Sequence, residues 1–225
     1  MSMLGIAAWL EQERLFKRRQ FSWRLEPVID LVSGAQVGEE LLIRGSFPRN
    51  DLDWDVWHCA LARRIIPQHA FSGWLSINLH TAHLLSRRAG HWLAPLQGLP
   101  LVLEWTEKLG TPEQVQAAGA RLRWLRRQYG FRISLDDMGA GQDAGQRFAV
   151  TEPDFGKIDG NLFQQARHDG GVRKAIGRLT RLCRQEDVPV VAEWIETEDD
   201  RLMALSLGAT HGQGHFWPGR TVEEN

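Results

Sequence analysis

The sequence predicts an α/β fold, a (β/α)8 TIM-like barrel with an antiparallel first strand. Short apolar runs of four to six residues alternate with helical patterns along most of the 225 residues, which is typical of parallel strands joined by helices. The first two runs are separated only by Val32-Ser-Gly-Ala35, a tight turn that indicates an antiparallel hairpin. A doubly wound open sheet has the same alternation of strands and helices, so it stands as the structural alternative.

Eight segments have the apolar and β-branched composition of buried strands. In chain order they are residues 21–31, 36–45, 74–79, 99–105, 132–137, 155–159, 189–194 and 211–217. A barrel of eight strands and eight helices typically occupies about 250 residues, so the length of the chain suits this count.

Helical patterns fill most intervals between these strands. The clearest covers 113–128, which is amphipathic and follows Thr111 and Pro112, a good N-cap and first-turn pair. Further helical segments are predicted at residues 54–66, 171–186 and 198–207. Because no repeat, low-complexity tract or linker divides the chain, we expect one barrel domain over 21–225, preceded by a helical lead-in over 1–20.

Composition and charge exclude several classes of protein. The hydrophobic content of 43% supports a substantial core, and the net charge of −1 argues against binding to DNA or to a membrane. Cys59 and Cys183 are too isolated for a disulfide framework or a zinc cluster. The apolar stretch over 4–10 is too short for a signal peptide or a membrane span. We therefore expect a cytoplasmic protein.

Four of the predicted strands end in carboxylates. They are Glu104 with Glu107, Asp136 with Asp137, Asp159, and Glu193 with Glu196. A buried carboxylate costs several kcal/mol unless a cation or a hydrogen-bond donor compensates it. Since the carboxyl ends of the strands in such a barrel form one rim, these side chains can converge there on a divalent-metal site.

Two earlier strands carry further ligand-type side chains. Glu40 lies in an apolar run, and Glu40, Leu42 and Arg44 alternate onto one face of the strand. Asn78 holds an equivalent place on the next strand. Carboxylate and amide oxygens suit Mg²⁺ and Mn²⁺, whereas zinc favours histidine or cysteine.

The adjacent pair Asp136 and Asp137 carries more specific information. Neighbouring residues of a strand point to opposite sides, so both carboxylates reach one site only if the strand end is distorted. One of them could then bridge two cations about 3.5–4 Å apart, the usual clamp for attack on a phosphodiester. Lys157 stands out as well, because a lysine occupies an apolar strand in a chain whose basic residues are mostly arginine.

With these residues, the chain resembles the EAL domain family, whose members hydrolyse or bind the bacterial second messenger cyclic di-GMP. The resemblance extends over residues 21 to 220, with its motifs in the family's order. The motifs are Glu26-Pro-Val-Ile-Asp30, Gly38-Glu-Glu-Leu-Leu-Ile-Arg44, Asn78-Leu79, Glu104-Trp-Thr-Glu107, Asp136-Asp-Met-Gly139, Lys157-Ile-Asp159, Ala192-Glu-Trp-Ile-Glu196 and Gln213-Gly214.

The resemblance implies two bound Mg²⁺ or Mn²⁺ ions and a role for each motif residue. The implied metal ligands are Glu40, Asn78, Glu104 and Asp136 for one ion, and Asp136, Asp137 and Glu193 for the other. The implied catalytic residues are Lys157, beside the attacking water, with Glu40 and Glu193. The implied substrate contacts are Arg44, Leu42, Glu196 and Gln213, and Glu107 is expected to brace the loop after Asp137 without binding metal.

The chain departs from the family's pattern at several positions. Met138 replaces a phenylalanine, the loop over 140–145 is unusual, and His80 takes the place of a serine. Trp194 replaces a small glycine beside Glu193, where a bulky indole could crowd the pocket or wall it off from water. None of the implied metal ligands is lost.

Three functions are compatible with this pattern. The leading prediction is a Mg²⁺- or Mn²⁺-dependent phosphodiesterase that opens cyclic di-GMP to linear pGpG. The first alternative is a catalytically silent module that binds cyclic di-GMP or a regulatory protein partner. The second is a barrel enzyme acting on another phosphate ester. By resemblance alone, we expect a homodimer.

Overall fold

The structure, a computed structural model, describes residues 21–45, 51–67, 73–106, 110–140 and 144–221. Within these ranges nine strands form one sheet. The strands are β1 Phe21–Asp30, β2 Gln36–Gly45, β3 Trp74–Leu79, β4 Leu101–Trp105, β5 Arg132–Met138, β6 Phe155–Ile158, β7 Val190–Ala192, β8 His211–Gly212 and β9 Arg220–Thr221.

The sheet closes into a barrel of eight strands. Strands β2 to β8 are parallel neighbours in chain order. Strand β1 closes the ring because it pairs antiparallel with both β2 and β8. The predicted (β/α)8 barrel with an antiparallel first strand is confirmed, and the open-sheet alternative is wrong. The short strand β9, which the sequence did not predict, pairs with β1 at Arg24 and Leu25.

Helices connect the parallel strands on the outside of the barrel. They are α1 Asp51–Ile65, α2 Thr81–Leu85, α3 Ala89–Leu93, α4 Pro112–Tyr129, α5 Ala144–Thr151, α6 Gly160–Gln165, α7 Gly170–Gln185 and α8 Glu198–Leu207, with a 3-10 turn at Ala94–Leu96. Helices α1, α4, α7 and α8 lie within three residues of their predicted bounds. The four short helices are set by tertiary packing, because they lack a long apolar period.

The helix α4 begins and ends at the residues that local chemistry favours. The Thr111 hydroxyl accepts a hydrogen bond from the Gln114 amide, and the Gln114 side chain accepts one from the Thr111 amide, at 3.3 and 2.9 Å. This reciprocal capping satisfies two amides that the first turn leaves unpaired, with Pro112 at the first helical position. The helix ends at Gly130, whose φ of 78° suits glycine.

The turn between β1 and β2 fixes the register that matters for the site. Asp30 Oδ1 accepts hydrogen bonds from the amides of Val32 and Ser33 at 3.0 and 2.7 Å, which closes the predicted hairpin. From this turn the strands pair so that Glu26 lies directly opposite Glu40. Two acidic side chains therefore meet on one strand pair, near the open end of the barrel.

Aromatic side chains close the amino-terminal end of the barrel. Trp74 and Phe155, the first residues of β3 and β6, have ring centroids 4.7 Å apart. The guanidinium of Arg132, at the start of β5, lies 4.8 Å above the Trp74 ring. Packed rings thus occupy this end, opposite the carboxyl-terminal end at which the active sites of such barrels lie.

Two strands are shorter than predicted. The segment 189–194 is a strand only over Val190–Ala192, and 211–217 only over His211–Gly212. Trp194 has a φ of 56° and Gly214 a φ of 146°, so the chain leaves the sheet just after each strand. The predicted lead-in over 1–20 lies outside the described residues. In the part of the chain that the structure describes, no helix has the length and apolarity to cross a membrane.

Candidate active site

The strands deliver the predicted polar side chains to one end of the barrel. Seven consecutive strands, β2 to β8, contribute side chains from within the strand or from the residue just after it. The side chains are Glu40, Asn78, Glu104, Asp136, Asp137, Lys157, Glu193 and Gln213. Glu107 lies outside the described residues. Asp159 turns away to the start of α6, where its Oδ1 accepts a hydrogen bond from the Leu162 amide at 2.8 Å.

The ammonium group of Lys157 lies at the centre of the cluster. Its Nζ is 2.9 Å from Glu40 Oε2 and 2.8 Å from Glu104 Oε2. It is also 2.7 Å from Glu193 Oε1 and 3.4 Å from Asp136 Oδ1. The lysine is buried, with 2% of its surface exposed. One ammonium thus faces four carboxylates. Because buried charges are costly unless compensated, the cluster is stable only with further positive charge or with protons bound to some of the carboxylates.

Two amide side chains hold Glu40 in place. Asn78 Nδ2 donates a hydrogen bond to Glu40 Oε1 at 2.8 Å, and Gln213 Nε2 donates one to Glu40 Oε2 at 2.6 Å. The oxygens of both amides, Asn78 Oδ1 and Gln213 Oε1, are buried and accept no hydrogen bond from any described residue. A buried oxygen without a donor is costly, so these atoms suit a cation or an ordered water.

The end of β5 has the distortion that two adjacent ligands require. Asp137 has a left-handed φ of 54°, and the register between β5 and β6 shifts between Leu135 and Met138. As a result Asp136 and Asp137 both reach the site. Carboxylate oxygens of Asp136, Asp137 and Glu193 lie within 4.8 Å of one another, a spacing that one divalent cation can bridge.

A buried arginine supports this distorted strand end. Arg147 on α5 is 2% exposed, and its Nη1 donates a hydrogen bond to the Asp136 carbonyl at 3.1 Å. Its Nη2 donates to the Trp105 carbonyl, and its guanidinium lies 4.9 Å above the Trp105 ring. The side chain therefore ties the ends of β4 and β5 together. Its role was not predicted from the sequence, because arginine is common in this chain and only the apolar neighbours of Arg147 on α5 indicate burial.

In the absence of cations, three carboxyl groups of the cluster have raised pKa values and therefore hold their protons to a higher pH than usual. Burial, reinforced by the Glu40 carboxylate, raises the pKa of Glu104 to about 8 against the opposing charge of Lys157. Burial also raises the pKa of Glu193 well above its ordinary value, and burial next to Asp136 raises that of Asp137 to about 6. Divalent cations would replace these protons, and the hard oxygen donors present fit Mg²⁺ or Mn²⁺.

Lys157 behaves differently from a lysine poised to accept a proton. Burial alone lowers the pKa of its ammonium, but the surrounding carboxylates, led by Asp136 and Glu104, outweigh burial and hold that pKa well above its ordinary value. Lys157 is therefore charged throughout the neutral range.

A cavity of about 440 Å³ opens beside the cluster. Glu40, Glu193 and Gln213 border it, together with the predicted substrate contacts Leu42, Arg44 and Glu196. Arg44 is exposed, and Glu196, half-exposed, lies 3.4 Å from the Arg167 guanidinium. Arg24, Glu26 and His215 also line the cavity, and no role was predicted for these three side chains from the sequence.

The structure locates three of the residues that depart from the family's pattern, namely Met138, His80 and Trp194. Met138 is 2% exposed and packs against Gly156. A β-carbon at residue 156 would lie 2.8 Å from the Met138 sulfur, so the glycine leaves room for the methionine inside the barrel wall. His80 precedes α2 without capping it through its side chain. Trp194 lies at the border of the cavity, with its indole ring against Gly160. Part of the 140–145 loop lies outside the described residues.

The family model described as the EAL domain matches residues 55–218. The chain belongs to the EAL domain family. It is 23% identical over 234 residues to the cyclic di-GMP phosphodiesterase RocR of Pseudomonas aeruginosa, covering 92% of this chain and 59% of RocR. It is 34% identical over 97 residues to the probable cyclic di-GMP phosphodiesterase PdeI of Escherichia coli, covering 41% of this chain but only 12% of PdeI.

Solved EAL structures share the fold. The structure described as the PaMucR phosphodiesterase in complex with c-di-GMP superposes with a TM-score of 0.77 at 21% identity, covering 95% of this chain and 97% of that one. An EAL domain protein from Listeria monocytogenes gives a TM-score of 0.76 at 18% identity, covering 97% and 94%.

Glu40 lies before the matched part of the chain, which begins at residue 55. Its place in the site follows from the barrel: β2 is the neighbour of β3, and Glu40 contacts Asn78, Lys157 and Gln213 directly. The geometry therefore joins the motif over 38–44, which contains Glu40, to the acidic residues of the matched region.

Proposed function

We propose that this chain is a divalent-cation-dependent phosphodiesterase that hydrolyses cyclic di-GMP to linear pGpG. The observation that carries the proposal is the buried ammonium of Lys157 among the carboxylates of Glu40, Glu104, Asp136 and Glu193. This cluster borders a cavity with basic side chains on its wall. The EAL relatives described above as cyclic di-GMP phosphodiesterases support the choice of substrate.

The carboxylates and the Asn78 amide are the residues that would hold the cations. Glu40, Asn78, Glu104 and Asp136 would hold one, and Asp136, Asp137 and Glu193 the other. Bound Mg²⁺ or Mn²⁺ supplies Lewis acidity at the phosphate and makes hydroxide available near neutral pH. Without cations, the rim would repel a substrate that carries two phosphates.

Lys157 contributes a fixed positive charge. Because its pKa lies well above the ordinary value, it donates hydrogen bonds and does not accept the proton of the attacking water. In that position it orients the water and favours its hydroxide form by charge. Gln213 and Asn78 hold Glu40 so that this arrangement is in place before substrate arrives.

Basic side chains at the cavity are suited to the phosphates. Arg44, near the end of β2, lies on the same strand face as Glu40 and lines the cavity. A guanidinium can bind a phosphate through two parallel hydrogen bonds. Arg44 is therefore proposed as the phosphate contact, with Leu42, Glu196 and Gln213 completing the wall.

The rival function is a silent module that binds cyclic di-GMP without cleaving it. The observation that favours it is Trp194, a bulky residue in a strained conformation next to Glu193. The two functions separate in one comparison, in which binding of cyclic di-GMP and formation of pGpG are measured on the same preparation. Binding with turnover supports the enzyme, and binding without turnover at any Mg²⁺ or Mn²⁺ concentration supports the module.

Substrate competition tests the choice of substrate. If a generic phosphodiester such as bis(p-nitrophenyl) phosphate is cleaved, cyclic di-GMP should inhibit that cleavage as a competitor for the same site. Glu40→Gln should abolish both activities, whereas the matched control Glu186→Gln, an exposed carboxylate beyond α7, should leave both unchanged. Cleavage that cyclic di-GMP does not inhibit would indicate an enzyme for another phosphate ester.

A further inference from the structure

Trp194 is an exposed aromatic side chain at the edge of the candidate active site. It follows Glu193 directly, half of its surface (50%) is exposed, and it borders the same cavity as Arg44 and His215. A large apolar side chain at the rim of a polar cavity contributes little to the core. Its position at the cavity makes the exposed part of the indole accessible to a ligand bound there.

The backbone holds Trp194 in a conformation that a bulky residue rarely adopts. Its φ is 56°, in the left-handed region that favours glycine. The conformation is held by hydrogen bonds: Gln164 Nε2 donates to the Trp194 carbonyl at 2.6 Å, and the Ile195 amide donates to the Gln213 carbonyl at 3.0 Å. Backbone strain that the surroundings maintain is found preferentially at functional sites.

One side of the indole is fixed against Gly160. A β-carbon at Gly160 would come within 2.4 Å of indole ring carbons, so only glycine lets the ring lie there. The ring is thereby oriented from one side while half of the residue stays accessible to solvent. A rigid aromatic plane with an open side loses little conformational entropy when a flat ligand stacks on it.

Basic side chains that can contact a phosphate line the cavity beside the ring, alongside the four glutamates Glu26, Glu40, Glu193 and Glu196. Arg24 and Arg44 line it, with His215 as a third basic group. Arg24 is already paired with Glu26 at 2.5 Å, and Arg44 and His215 are the other two basic side chains that line the cavity. Positive charge next to an oriented aromatic plane is the combination that binds a phosphate together with its base.

We propose that the open side of the Trp194 indole is the surface on which one guanine base of cyclic di-GMP stacks. The identity of the nucleotide rests on the proposed function, whereas the stacking surface rests on the exposure, orientation and surroundings of Trp194. Because the base is stacked both before and during the reaction, Trp194 lowers KM and leaves kcat unchanged.

The test compares three variants by calorimetric titration in the presence of Mn²⁺. Trp194→Asn removes the ring but tolerates the left-handed φ, and Trp194→Phe keeps a smaller ring. Trp124→Asn is the matched control, since Trp124 is also exposed (36%) but lies on the outer helix α4. The probes are pGpG, which carries the bases, and ribose 5-phosphate, which carries none.

We expect Trp194→Asn to weaken pGpG binding by about 10-fold or more, from the stacking contribution of a single base. Trp194→Phe should lie between this variant and the wild type, and Trp124→Asn should match the wild type. The affinity for ribose 5-phosphate should be the same in all four proteins.

Three results would overturn the stacking proposal: unchanged pGpG affinity in Trp194→Asn, an equal loss for ribose 5-phosphate, or no pGpG binding by the wild type. A loss of oligomeric mass in Trp194→Asn by light scattering, with pGpG affinity intact, would assign the indole to contact with a second copy. Failure of the proposed function has a different signature, namely wild-type pGpG binding without turnover of cyclic di-GMP.

Discussion

At the scale of single residues, Lys157 is the central positive charge of the candidate site. Its ammonium is the one cation seen in direct contact with the carboxylates of Glu40, Glu104 and Glu193 among the described residues. The sequence singled it out as a lysine in an apolar strand of an arginine-rich chain, and in the structure it lies buried in β6. The sequence could not show that its charge is shared among carboxylates from several strands, because that depends on closure of the barrel.

Lys157→Met should reduce turnover of cyclic di-GMP by at least about 100-fold, because the attacking water loses the charge that orients it. The variant should still bind Mn²⁺, since the carboxylates gain cation-binding capacity when the ammonium is removed. The measurement is kcat together with Mn²⁺ affinity by calorimetry. Lys174→Met, which removes an exposed lysine on α7, is the control. Turnover near the wild-type rate in Lys157→Met would contradict the assigned role.

Glu104 gives the cation-free protein a characteristic pH dependence. Its pKa is raised from 4.5 to about 8, so near neutral pH the folded protein holds a proton that the unfolded chain releases. This contribution to stability is full below pH 4.5 and is lost as pH rises through 8. The buried His83, whose pKa is lowered to about 4 from 6.5, acts in the opposite direction but only below pH 6.5.

In the presence of a chelator, the melting temperature should therefore fall between pH 6.5 and 8. Glu104→Gln should show a shallower fall. Added Mn²⁺ should raise the melting temperature more at pH 8 than at pH 6.5, because the cation competes with protons for the same oxygens. The same pH slope in Glu104→Gln and wild type would show that Glu104 does not hold this proton.

At the scale of elements, the end of β5 shows how a strand can supply two adjacent ligands. The left-handed Asp137 and the register shift beside β6 turn both carboxylates toward the site. Arg147 from α5 supports the turn through the carbonyls of Asp136 and Trp105. The sequence predicted a distortion from the Asp-Asp pair alone. The arginine that supports it was hidden, since burial of α5 depends on its packing against α4.

Arg147→Met should lower the free energy of unfolding by about 3 kcal/mol, because two buried carbonyls lose their charged donor. Urea unfolding measures the loss, with Arg181→Met, an exposed position on α7, as the control. Arg147→Lys should recover only part of the stability, since an ammonium lacks the planar fork that reaches both carbonyls. A loss below about 1 kcal/mol in Arg147→Met would mean that these contacts contribute little.

The boundaries of helices and strands could be predicted where residues within one turn of the boundary determine it. Helix α4 begins as predicted at Thr111 and Pro112 because capping is decided by residues within one turn. Strands β7 and β8 ended early because Trp194 and Gly214 leave the extended region. The left-handed φ of Trp194 is maintained by Gln164 and the Ile195–Gln213 contact, which no local pattern reveals.

At the scale of the whole molecule, the closed barrel creates the site from distant parts of the chain. Glu40 contacts Lys157 across 117 residues and Gln213 across 173 residues of sequence. Motif order along the chain predicted this assembly through resemblance to the EAL family. The cavity wall formed by Arg24, Glu26 and His215 was not predicted, because it arises only when the end of β8 comes round to β1.

Formation of pGpG from cyclic di-GMP is the decisive measurement for the proposed activity. Purified protein is incubated with cyclic di-GMP and Mg²⁺ or Mn²⁺, and the product is followed by chromatography beside Glu40→Gln and a chelator-treated sample. We expect pGpG from the wild type with cation and none from the other two samples. A well-folded wild-type protein that binds Mn²⁺ and cyclic di-GMP yet forms no pGpG would contradict this expectation.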